Sequence, residues 1–153
     1  MNYLNQPLFH ISIPIIMTII INGIIYSTNV RMYTSPSIKK SIIQLPPGYI
    51  IGIVWIILLG LLGYIHYLLY KINNKISFEC YFLEVFILFC LSYPFITQFQ
   101  EKLSRFMNFT SFVFSFILSL VIIHRSLSIF WYLIPLLLWI TYVNLFDVVN
   151  TVS

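Results

Sequence analysis

The sequence predicts an all-α membrane protein, a bundle of five transmembrane helices forming one domain over residues 1–153. Three observations carry this. Of the 153 residues, 60% are hydrophobic and only 8% are charged, against about 25% charged in a soluble domain. So few charges cannot cover a water-facing surface. Mean hydropathy is +0.96. The apolar residues also fall into five continuous runs, each near the length of about 20 residues that a helix needs to cross a bilayer. These runs are too long and unbroken for the alternating segments of about ten residues that build a barrel.

The first run, 8–26, has no charged side chain before it and no small-x-small cleavage site after it. It therefore reads as a span rather than a cleaved signal, with Pro14 tolerated inside it. The second, 46–70, opens on Pro46-Pro47. Proline suits the first turn of a helix, where its missing N–H would find no partner anyway. The third is 78–99, the fourth 106–124 and the fifth 129–149. The connections are short apart from a long polar loop over 29–45.

Five spans put the termini on opposite sides. The side with the long loop and the C-terminus holds Arg31, Lys39, Lys40, Lys102 and Arg105, and the other holds Lys71, Lys75 and Arg125. The excess places the long loop and the C-terminus in the cytoplasm. The net charge of +4 suits an anionic membrane surface. It includes no dense basic run, so nucleic acid is not an expected partner.

Glycines and tryptophans mark the second and fifth spans. Gly48 and Gly52 stand at small-xxx-small spacing, with Gly60 and Gly63 further along, and such residues let helices approach closely. Trp131 lies at the start of its span, where an indole usually meets the headgroups. Trp55 and Trp139 do not. Trp55 is about 13 Å along its helix from Pro46 at 1.5 Å per residue, and Trp139 is at a similar depth in the fifth. An indole N–H at mid-bilayer needs a partner or a polar cavity. Packing explains either ring alone, whereas the two together point to a shared aromatic site.

These residues carry a resemblance. Pro46-Pro47-Gly48-Tyr49-Ile50-Ile51-Gly52-Ile53-Val54-Trp55 resembles the second helix of the TspO/MBR family, the translocator proteins and tryptophan-rich sensory proteins. Trp131-Tyr132-Leu133-Ile134-Pro135-Leu136-Leu137-Leu138-Trp139 resembles its fifth. The resemblance implies a five-helix bundle, often a homodimer, with a ligand cavity under the first loop. It implies porphyrin or another tetrapyrrole as ligand, with sterol or lipid as further partners. The implied ligand-binding residues are Trp55, Trp139, Tyr33, Pro46, Pro47, Gly52 and Asp147, with no cofactor and no metal.

The chain departs from the family pattern where a ligand would be covered. The loop keeps Tyr33 but has neither loop tryptophan. Leu91-Ser92-Tyr93-Pro94 replaces a stretch that usually holds Asn, and Asp147 stands at the position of an Asn. The sterol motif near the C-terminus is missing, because no Lys or Arg follows Arg125. A membrane receptor or carrier for flat hydrophobic ligands is the leading reading. The alternatives are a light-dependent porphyrin-degrading enzyme using Trp55 and Trp139, and an interaction protein whose pocket has decayed.

The remaining polar residues bound the chemistry. Glu84 is expected to face a helix partner, pair with Lys75 or stay neutral. His66 reads as structural, and Asp147 either reaches water or lines the cavity rim. His10, His66 and His124 are scattered, and Cys80 and Cys90 are too far apart on one helix for a disulfide. No nucleophile–base pair is visible, so hydrolase chemistry has no support.

Overall fold

Each apolar run is helical over most of its length, and the first, fourth and fifth are extended at both ends. The computed structural model describes residues 6–27, 45–97 and 101–152. Within these, α1 spans Pro7–Ser27, α2 Gly48–Asn73, α3 Phe78–Thr97 and α4 Glu101–Arg125. A short α5, Leu127–Phe130, leads through a 3-10 turn, Trp131–Leu133, into α6, Ile134–Val152. Five segments are long and apolar enough to cross a membrane, the last running Leu127–Val149 through α5, the turn and α6. No strand occurs among the described residues.

The boundaries differ from the sequence expectation for physical reasons. α2 starts at Gly48, not Pro46. A residue before proline is pushed out of the α region, which keeps Pro46 out of the helix. Pro47 then stands at the N-cap with ψ 148°, and its carbonyl accepts from Ile50 and Ile51. α2 continues past Tyr70 to Asn73 and stops at Asn74, which adopts the left-handed conformation at φ 51°, one that Asn tolerates better than most residues. α4 begins at Glu101, in a stretch expected to be loop. Charged residues end an apolar run but not a helix, because the backbone stays helical beyond the hydrocarbon.

The fifth span is not one continuous α-helix. Pro135 has no N–H to give the carbonyl of Trp131, four residues back. Instead the Ile134 N–H bonds to that carbonyl, which tightens the turn to 3-10 geometry.

Short connections make the second to fifth spans antiparallel neighbours in order, and α1 joins them across the long loop. α2 is central. Leu58, Leu62, Ile65 and Leu69 form one fully covered stripe along it, at the spacing of a helix face. α1 packs along α2, while α3 contacts α2 and α4, and α4 contacts α6. α4 turns a row of small residues inward, Ser111, Ser115 and Ser119, whose hydroxyls bond to carbonyls of their own helix. Small residues allow close helix approach. Its other face shows Phe106, Phe109 and Phe116, as a lipid-facing surface should.

Gly63 makes the tightest approach. A Cβ there would lie 2.3 Å from the carbonyl oxygen of His10 on α1, closer than any side chain can come. At Gly60 the nearest atom is the flexible end of Ile15, 3.1 Å away, and at Gly52 it is the Asn22 amide, 3.3 Å away. Gly48 has nothing within 4 Å, so helix contact there is not what its small size serves.

Candidate functional site

The antiparallel order brings the start of α2 and the ends of α3 and α6 to one end of the bundle. The start of α4 and the last turn of α1 lie there too, as does the attachment of residues 28–44. The tetrapyrrole-site residues named from the sequence belong to this half or to mid-span, except Tyr33, which lies outside the described residues.

Trp55 is half-buried, two turns into α2, and packs against the buried core. Trp139 packs against the same core from α6. Its ring centroid is 5.8 Å from that of Tyr142, one turn on. Its indole N–H is covered and has no hydrogen-bond partner. Buried polar groups are nearly always paired, and an enclosed donor without an acceptor costs about 1–3 kcal/mol. By contrast, Trp131 is exposed on the outside of the bundle, as expected of an interfacial indole.

Pro46 is half-buried and Pro47 exposed at the mouth of α2. Gly52 lies beneath the Asn22 side chain of α1, so it seats α1 on α2 one turn before Trp55. Asn22 thereby brings an amide to the level of Trp55, a contribution that α1 shows only once it is packed.

Asp147 belongs to a polar network across three helices. The Asn108 amide of α4 donates to its carboxylate, and the Asn108 side-chain carbonyl accepts from the Tyr93 hydroxyl of α3 at 2.6 Å. Asn144, one turn before Asp147, donates to the Asn108 backbone carbonyl at 3.1 Å and to the Ile140 carbonyl at 2.8 Å. Asp147 is half-buried. Half-burial leaves part of Asp147 open to solvent while its carboxylate is held by Asn108. Tyr93 occupies the third-helix stretch where the family usually carries Asn. Asn108 was missed by sequence reasoning. Its one visible signal was an amide placed among apolar residues in the fourth span.

At the other end, the scattered histidines are not all apart. His10 Nδ1 is 2.8 Å from His66 Nδ1, and His66 Nε2 is 2.8 Å from Glu84 Oε1. Glu84 thus pairs with His66 rather than Lys75, because residues 18 apart in sequence meet when α2 and α3 run antiparallel. Cys80 and Cys90 are both buried and free. Among the described residues, no group of three His, Cys, Asp or Glu is arranged to hold a metal ion.

No curated relative and no solved structure matches the chain. A model of the TspO/MBR family matches residues 10–149, nearly its whole length. With five apolar spans and both tryptophan motifs in place, the chain belongs to the TspO/MBR family.

Proposed function

We propose that this protein binds a flat tetrapyrrole, porphyrin in the first instance, between the Trp55 and Trp139 helices on the side of the long loop. The observation that carries this is the Trp139 N–H, enclosed at mid-span with no acceptor. A ring with polar edges can supply the missing acceptor and stack on indole faces. An apolar site with a few placed polar groups is the usual form of a ligand pocket. Asn22, Asn108 and Asp147 supply such groups on the same side of the bundle. Pro46, Pro47 and Gly52 fix where α2 enters the site. Tyr33, outside the described residues, is retained from the family pattern and belongs to the same proposal.

Binding takes precedence over degradation. Trp55 and Trp139 suffice for stacking, whereas photochemical breakdown requires light and a co-reactant as well. The test uses single-tryptophan proteins in lipid nanodiscs, titrated with protoporphyrin IX in the dark. The Trp55-only and Trp139-only proteins should show saturable quenching, and the Trp131-only protein weak, non-saturable quenching. Equal quenching of all three would mean that porphyrin only partitions into the lipid. Saturable binding of a sterol or another lipid, without porphyrin binding, would move the ligand class. Illumination afterwards reads out degradation, which the binding account predicts to proceed no faster than for the free pigment.

A further inference from the structure

The tetrapyrrole reading leaves three ionisable residues unused, and they meet at the opposite end of the bundle. His10 is about one turn into α1, His66 two turns before the end of α2, and Glu84 two turns into α3. Ionisable groups inside spans are costly and commonly functional. His10 is buried. The His66 side chain is 11% exposed, whereas that of Glu84 is 43% exposed, so the row runs from the interior toward the outside of the bundle.

Proton counting determines how this row behaves. With the Glu84 carboxylate ionised, His66 donates to it through Nε2–H. A neutral His66 then has a lone pair on Nδ1, and His10 must donate its own Nδ1–H across the 2.8 Å contact. One added proton on His10 goes to its Nε2 and leaves this bond intact. A second proton, on His66 Nδ1, sets two N–H donors and two positive rings against each other at that distance. The contact survives zero or one added proton and fails at two.

The groups facing the pair come from every helix packed there. Tyr67 and Tyr70 of α2 face His10, each with ring centroids 5.8 Å away. The titratable groups in contact with His66 are Glu84 and His10. The three residues join α1, α2 and α3 at one level across the bundle, so they do not form a path along the membrane normal. His10 is also the residue whose carbonyl meets Gly63, so the histidine pair lies where the α1 backbone presses on a glycine of α2.

We propose that His10, His66 and Glu84 form a proton-binding clasp that holds the first turns of α1 on α2 and α3 and releases them when both imidazoles are protonated. The clasp is closed at high pH. It opens as pH falls to the point where the second imidazole takes up its proton against the charge of the first.

The test uses the full chain in nanodiscs, spin-labelled at Leu8→Cys on α1 and Tyr81→Cys on α3. Both positions are exposed, and the two native cysteines are buried. The distance distribution should be narrow in mildly alkaline buffer and become longer or broader as the pH is stepped down into the acid range. His10→Gln removes one imidazole, so the pH response should vanish. Glu84→Gln preserves shape but removes the charge that supports the imidazolium, so opening should require a lower pH. This second variant decides the matter if His10→Gln fails to fold. An unchanged distribution across the pH range in the parent protein overturns the proposal. So does a response that persists in His10→Gln, or one that moves to the same or higher pH in Glu84→Gln.

Discussion

The enclosed N–H of Trp139 gives the most specific residue-scale expectation. Trp139→Phe keeps an aromatic ring and removes the unpartnered donor. The relief of about 1–3 kcal/mol from that donor offsets the packing lost with the smaller ring. Stability without ligand should therefore stay within about 1 kcal/mol of the parent, while porphyrin affinity falls about two- to tenfold for one lost hydrogen bond. Thermal unfolding and ligand titration of the same preparation check both halves. Asn108 should behave in the opposite way. Asn108→Leu breaks the bonds to Tyr93 and Asp147, and losing two partners of this kind should lower stability by about 2–4 kcal/mol, read from unfolding in mild detergent. The contrast between these two residues also explains what could be read from sequence. A tryptophan at mid-span is conspicuous by its depth alone, and so is a Pro-Pro pair. Asn108 matters only because Tyr93 and Asp147, 15 and 39 residues away, fold onto it. Local spacing carries no record of such contacts, and the same holds for His10 with His66.

At the scale of elements, hydropathy located all five spans because the bilayer imposes a length that the chain must match. It did not locate their ends, because helical hydrogen bonding continues past the hydrocarbon until a stop such as Asn74 intervenes. The break at Trp131–Leu133 follows from Pro135, and a run-length reading does not register it. Which glycines seat helices was equally hidden. Four stand along α2, but only packing distinguishes Gly63, pressed on a backbone oxygen, from Gly48 in open space. Gly63→Ala should therefore destabilise the bundle by about 1–3 kcal/mol through overpacking against a backbone that cannot yield. Gly48→Ala should be neutral or stabilising by about 0.5–1 kcal/mol through helix propensity. Unfolding curves of the two variants, measured side by side, distinguish packing from propensity.

For the whole molecule, five crossings require the long loop and the C-terminus to share one face of the membrane, with the α2–α3 connection on the other. On the positive-inside rule, the surplus of Lys and Arg predicts that the shared face is cytoplasmic. Labelling of Ser37→Cys and Ser153→Cys by a membrane-impermeant thiol reagent should occur only after the cell is opened, whereas Lys75→Cys should label in intact cells. The same arrangement separates two polar clusters at opposite ends of the bundle. One end carries the tryptophans and the Asn108–Asp147 network, and the other the histidine clasp. The central claim concerns the first end, and Soret-band titration of protoporphyrin IX tests it most directly, comparing nanodisc-embedded parent protein with Trp55→Phe/Trp139→Phe. The account predicts a saturable, stoichiometric band shift in the parent that weakens by at least about tenfold in the double variant. A shift that never saturates, or one with equal affinity in both proteins, would contradict it.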